Sequence, residues 1–183
     1  MSMRVGLYGG AFDPPHLGHL KVAQTALWSD EIDTLWFLPA WSSASGKNMS
    51  EFKHRLFMCS LLSKNYIGMH VCDLEAEVKS LDSLEIVNYI QEQNLACSFR
   101  LVLGTDNFWK MNQWKNSHEV MKIAPALWVE RPGQSRIPVI SYPLYNTLSS
   151  TQVRETISSN GSMDGLVSKE VETYIKDENL YNG

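Results

Sequence analysis

The stretch Val5-Gly-Leu-Tyr-Gly-Gly-Ala-Phe-Asp-Pro-Pro-His-Leu-Gly-His-Leu20 passes from one periodicity to another. Met3, Val5 and Leu7 alternate as on a strand, Gly9-Gly10 and Asp13-Pro14-Pro15 interrupt, and Leu17, Leu20, Ala23 and Leu27 then repeat at helical spacing. A strand, a tight glycine turn and a helix are expected. Gly9 and Gly10 would take backbone angles closed to other residues and leave room for a ligand against the main chain. The helix start would offer unpaired amides to a phosphate.

His16 and His19 stand at that helix start, three residues apart and so on one face, with Gly18 between them. In one reading, one of them caps the helix or packs. In the other, the pair is a phosphate clamp of two imidazole N–H groups, and the glycine turn ahead of it favours this reading.

The alternation continues outward. Apolar runs at 34–38, 67–72, 99–103 and 126–130 read as strands, with helical stripes between them. Strands alternating with helices predict one domain, 1–183, with a doubly wound, mainly parallel α/β sheet of Rossmann-like type and ligands at the strands' C-terminal ends. Lys47 is the basic residue of a small, polar loop there. Gly104 and Asp106 close the fourth strand, where a carboxylate can accept from a ribose diol or cap the next helix. Ser150 or Thr151 is expected to cap a helix that faces an anion, with Arg154 a turn later as a bidentate donor.

Other expectations are local. Asn48 and Glu51 suggest a capping box ahead of the stripe Phe52, Leu56, Cys59 and Leu62; for Arg55, near this helix start, a surface salt bridge is one of two readings, and it is left outside the site. Ser80 or Asp82 caps the helix carrying Leu84, Val87 and Ile90, and His70 reads as a packing residue. Trp109 reads as core, and residues 134–147 as a connector with one edge strand.

A chain of 183 residues and 20.8 kDa, 44% hydrophobic and 20% charged, is ordinary for a globular protein and can bury its own core. No apolar run approaches the ~20 residues of a membrane span and no signal-peptide pattern opens the chain, so a cytoplasmic protein is expected. Cys59, Cys72 and Cys97 lie in apolar surroundings without C-x-x-C spacing and read as buried thiols. A net charge of −4 argues against a nucleic-acid partner.

His16-Leu-Gly-His19 after Gly-Gly-Ala-Phe-Asp-Pro resembles the HxGH signature of the nucleotidyltransferase superfamily. The fuller string resembles the bacterial nicotinate/nicotinamide mononucleotide adenylyltransferases, as do Ser149-Ser-Thr-Gln-Val-Arg154 and the C-terminal segment from Asp164 to Tyr181. The resemblance implies transfer of AMP from ATP to a pyridine mononucleotide, with release of pyrophosphate and formation of deamido-NAD or NAD. It implies catalytic roles for His16, His19 and Arg154, and ATP contacts at Gly10, Ala11, Gly104, Asp106, Ser150 and Thr151. It implies acceptor contacts at Phe12, Lys47, Ser80 and Trp114, with Mg²⁺ carried by ATP and no metal ligand from the protein; Lys115, next to Trp114, reads either as a cation for a nicotinate carboxylate or as a residue facing water.

The chain departs from that pattern in four places. Ala11 stands for the usual threonine, Lys47 lacks the Pro-Pro-His before it, only part of the pyridine-side motif survives around Ser80, and Lys115 replaces an aromatic residue after Trp114. Two rivals stand beside this reading: a pantetheine-phosphate adenylyltransferase, which usually has threonine where this chain has His16, and a non-catalytic ATP-binding relative. Shortness and acidity set aside an aminoacyl-tRNA synthetase. The residues leave open acid versus amide acceptor, and a homo-oligomer.

Overall fold

Six strands, β1 (Met3–Gly10), β2 (Thr34–Pro39), β3 (Met69–Val71), β4 (Cys97–Gly104), β5 (Ala126–Glu130) and β6 (Ser141–Pro143), pair in parallel in the order β3-β2-β1-β4-β5-β6. This computed structural model describes residues 2–42, 46, 48–80, 82–130, 141–143 and 148–182, with backbone alone at 106, 109, 112 and 141–143. The helices are α1 (Leu17–Trp28), α2 (Phe52–Ser63), α3 (Leu74–Val78), α4 (Ser83–Gln93), α5 (Ser117–Ile123), α6 (Ser150–Ser158) and α7 (Lys169–Asp177), with a 3-10 helix at Thr105–Gln113.

Alternation along the strands sorts the core into two layers. Val5, Leu7 and Phe99 pack on one face with Ile86, Val87 and Ile90 of α4 and Val120 of α5. Tyr8, Leu35 and Phe37 pack on the other with Ala23 of α1, Met58 and Leu62 of α2, Val153 of α6 and Ile175 of α7. Each fully buried Leu or Phe contributes about 1.5–3 kcal/mol. The sheet is thereby covered on both faces, and its C-terminal edge is left for loops.

Strand order reverses between β1 and β4. Their ladder runs from Met3↔Cys97 only to Leu7↔Leu101, yet β1 stays paired with β2 as far as Gly10↔Pro39, and β4 with β5 as far as Gly104↔Val129. The last residues of β1 and β4 therefore part from each other. A crevice at this reversal is where doubly wound sheets bind ligands.

Four local expectations are corrected. β1 runs straight through Gly9 and Gly10, and the left-handed residue of the turn is Phe12, at φ 48. Gly10 sits tightly against the Phe12 ring, from which a Cβ there would lie 3.2 Å, while Gly9 has nothing within 4 Å on that side. No capping box opens α2, because its N-cap is Glu51 and that side chain makes no capping bond. His70 is exposed, because β3 is the sheet's edge, and Cys72 and Cys97 are only half-buried while Cys59 is buried. The expected edge strand is β6, and the rest of its connector at 134–140 and 144–147 lies outside the described residues. Among the described residues, no helix is long and apolar enough to cross a membrane.

Candidate active site

α1 starts on a reciprocal histidine cap. The His19 amide donates to His16 Nδ1 at 3.3 Å, and the His16 amide donates to His19 Nδ1 at 3.1 Å. The rings stack with centroids 3.7 Å apart and planes 24° from parallel. A ring nitrogen that accepts an N–H carries no proton, so each imidazole holds its proton at Nε2. Each ring caps with one nitrogen and keeps a donor at the other. His16 is buried, and half-buried His19 packs edge-on against Phe12, centroids 4.9 Å apart. Gly18 makes this possible: a Cβ there would lie 2.8 Å from the His16 ring and 3.3 Å from Leu148 Cβ.

Leu148 leads into α6, whose N-cap is Ser149, accepting from the Gln152 amide at 3.2 Å. The expected caps, Ser150 and Thr151, lie one and two positions further in and bond elsewhere. Ser150 Oγ donates to the Pro14 carbonyl at 2.9 Å, and Arg154 Nη1 donates to the Asp13 carbonyl at 2.5 Å. Arg154 Nη2 also donates to Thr151 Oγ1 at 3.3 Å. These bonds use two of the five N–H donors a guanidinium carries. The starts of α1 and α6 thus meet over the turn that follows β1, and both helix dipoles favour an anion there.

Arg55 is not at the surface. It is 1% exposed, and it donates from Nη1 to the Ala11 carbonyl at 2.8 Å, from Nε to the Ser50 carbonyl at 2.9 Å and from Nη2 to the Trp41 carbonyl at 3.5 Å. Burial pushes its pKa down from the usual arginine value. Sequence did carry a signal for this: Arg55 shares a helix face with Cys59 and Leu62, four and seven residues on. Ala11 itself is exposed, whereas the Phe12 ring is 1% exposed against Tyr8 and Phe37. Phe12 therefore offers a ligand its backbone rather than its ring.

Sequence reasoning also missed the Asp13 carboxylate. It accepts from the Ser50 amide at 3.4 Å, from the Ser50 hydroxyl and from the Tyr181 hydroxyl at 2.7 Å. No local pattern announces a contact between residues so distant in the chain.

Beyond the β4 end, Gly104 is buried and is the N-cap of the 3-10 helix. Asp106 and Trp109 lie in that helix, described by backbone alone. Asp82 is the cap of α4, accepting from the Leu84 amide at 3.0 Å. Its other oxygen takes Lys115 Nζ at 2.8 Å and Asn116 Nδ2 at 3.2 Å. The Lys115 bond holds the Asp82 carboxyl below the usual carboxylate range. Lys115, expected on the acceptor, is thus engaged by Asp82. Ser80 Oγ accepts from the Asp82 amide at 2.9 Å and donates to Glu85 at 2.5 Å. Trp114, half-buried, directly precedes Lys115. Lys47 lies outside the described residues.

A parallel sheet split at its order reversal, with an HxGH-capped helix and a serine-capped helix meeting at one turn, defines a nucleotidyltransferase. The cytidylyltransferase-like family matches residues 7–156. A probable nicotinate-nucleotide adenylyltransferase of Anaeromyxobacter dehalogenans (strain 2CP-C) is 32% identical over 186 residues, covering 98% of this chain and 97% of the relative. The probable enzyme of that name from Bacillus licheniformis is 28% identical, covering 97% of this chain and 98% of its own. The chain belongs to the nicotinate-nucleotide adenylyltransferase family within the cytidylyltransferase-like proteins. In fold it is similar to the Plasmodium falciparum nicotinic acid mononucleotide adenylyltransferase complexed with NaAD, with a TM-score of 0.85 at 18% identity over 98% of both chains. A putative nicotinate-nucleotide adenylyltransferase from Vibrio parahaemolyticus gives 0.77 at 20% identity, over 98% of this chain and 96% of the other.

Proposed function

We propose that the protein transfers AMP from ATP to the 5′-phosphate of nicotinate mononucleotide, releasing pyrophosphate and forming deamido-NAD. The observation that carries this is the junction of two capped helix starts on one turn, fixed by Arg154 on the Asp13 carbonyl and Ser150 on the Pro14 carbonyl. An oxygen of the acceptor phosphate bonds to the α-phosphorus of ATP. The bond from that phosphorus to the bridging oxygen breaks, and pyrophosphate leaves with the electron pair. A phosphate monoester is largely doubly ionised at neutral pH, so no general base is needed. Catalysis reduces to holding two anions in line and stabilising the charge that develops between them.

In this reading the Nε2–H groups of His16 and His19 serve the α-phosphate and its transition state. Arg154 and the first amides of α6, at Ser150 and Thr151, take the β- and γ-phosphates, and the amides of Gly10 and Ala11 cradle phosphate where Gly9 leaves space. Mg²⁺ enters as part of the nucleotide substrate, with phosphate oxygens as its ligands. Gly104 and Asp106 receive the ribose across the crevice. Trp114 stacks on the pyridine ring, Ser80 and the Asp82–Lys115 pair order its surroundings, and Lys47 adds a cation for phosphate.

The test is pyrophosphate release from Mg-ATP with nicotinate mononucleotide, nicotinamide mononucleotide or phosphopantetheine supplied separately. Release with the nicotinate nucleotide is expected. Release with phosphopantetheine alone, or with no acceptor, overturns the reading.

A further inference from the structure

Tyr181 stands two residues from the end of the sequence, yet its side chain reaches the turn between β1 and α1. After α7 the chain doubles back, with the Leu180 amide donating to the Ile175 carbonyl at 3.0 Å. Asn179 and Tyr181 then take left-handed backbone angles, φ 53 and φ 64. Such angles are rare for a bulky side chain and persist where surrounding contacts demand them. The contact here is the Tyr181 hydroxyl on Asp13 Oδ1 at 2.7 Å, with Ser50 Oγ 3.0 Å from the same hydroxyl. Burial above all pushes the pKa of that hydroxyl up, so it remains a donor at working pH.

Asp13 is 5% exposed and carries two loads. Its carboxylate holds Ser50 and Tyr181, while its carbonyl, in the same residue, is the acceptor for Arg154 Nη1. A buried carboxylate close to a phosphate site is unfavourable unless its oxygens are satisfied, and losing a donor frees it to move. Movement of Asp13 moves the anchor of Arg154.

We infer that Tyr181 is a positioning residue: by fixing the Asp13 carboxylate it sets the peptide plane that anchors Arg154, and with it the aim of the guanidinium at the outer phosphates of the nucleotide. The inference rests on the reading above that Arg154 serves those phosphates. It assigns Tyr181, beyond the end of α7, to the support of the site.

The experiment uses the whole chain and compares Tyr181→Phe, which keeps the ring, with Ser50→Ala, which removes the other side-chain donor to Asp13 and keeps the Ser50 amide. Affinities for Mg-ATP and for AMP are measured by calorimetry without acceptor, in the parent and in an Arg154→Ala background. Each substitution is expected to weaken Mg-ATP by about 5-fold in the parent and to have almost no effect when Arg154 is absent, the signature of coupled residues. AMP, which lacks the outer phosphates, should bind unchanged. Equal weakening of ATP and AMP, the same loss with and without Arg154, or no loss of ATP would each overturn the assignment. A parent that binds ATP but transfers nothing to any acceptor would refute the reaction proposed above and leave this inference to stand or fall on the same affinities.

Discussion

His16 and His19 cap one helix by exchange: each Nδ1 accepts the other residue's backbone amide, at 3.3 and 3.1 Å. The cap therefore uses Nδ1 of each ring, and the catalytic role proposed above falls to Nε2. His19→Ala should lower turnover by about 100-fold or more, the scale of losing one transition-state donor, while ATP affinity falls far less. The lost cap bond should destabilise the protein by about 1 kcal/mol. Steady-state kinetics beside a direct ATP titration separates the effects, and equal losses in turnover and affinity would remove the transition-state role.

Gly18 lies where the start of α1 packs against the His16 ring and the lead into α6. A methyl group there would lie 2.8 Å from the His16 ring, nearer than real Cβ contacts come, and 3.3 Å from Leu148 Cβ. Neither neighbour can yield without moving the cap or the lead into α6. Gly18→Ala should cost about 1–3 kcal/mol, despite alanine's better helix propensity, and should depress kcat/KM with both substrates. A variant as stable as the parent would show that the His16 ring has room to turn.

The fold was legible because its signals are local and repeat. Alternation at Val5 and Leu7, the helical stripe from Leu17 and the apolar run at Thr34 each point to the element observed. The meeting of the starts of α1 and α6 followed from a parallel sheet whose loops gather at one edge. Legibility failed where a residue's partner is distant. Arg55 bonds the carbonyl of Ala11, and Asp13 bonds Ser50 and Tyr181, contacts that no window of neighbouring residues contains. It also failed at short range where several candidates stood together, so that the cap of α6 fell to Ser149 rather than to its neighbours. The glycine turn misled for a different reason. Gly10 continues the strand against the Phe12 ring, and the left-handed angle belongs to Phe12.

Glu75 of α3 gives the protein a pH dependence. Its carboxylate accepts from the Trp41 amide at 3.0 Å, just after β2. Burial pushes its pKa up from 4.5 to about 7, outweighing the downward pull of the Trp41 bond and of Arg55. Between those two values the folded chain holds more protons than the unfolded one, so stability from this group is full below the lower value and lost as pH rises through the upper one. Glu75→Gln should therefore melt higher than the parent at pH 8, with the gap closing toward pH 4.5. A gap that stays constant across melts in that range would show that Glu75 does not titrate there.

Trp114 and Lys115 adjoin in sequence but carry different expectations. Lys115 is 79% exposed on its side chain and already bound to Asp82, and solvent screens much of what so exposed a cation can contribute. Lys115→Ala should therefore leave the melting point nearly unchanged. It should also leave the preference for nicotinate over nicotinamide mononucleotide nearly unchanged, because the cation is satisfied within the protein. Trp114→Ala removes the surface proposed to stack on the pyridine ring, an interaction of about 1–3 kcal/mol for an aromatic base. Its KM for the mononucleotide should rise by about 10-fold, with KM for ATP held. Competition between the two mononucleotides, run on both variants, decides each point. A collapse of the acid preference in Lys115→Ala would make its cation the reader of the carboxylate, and an unchanged KM in Trp114→Ala would take the indole out of the acceptor site.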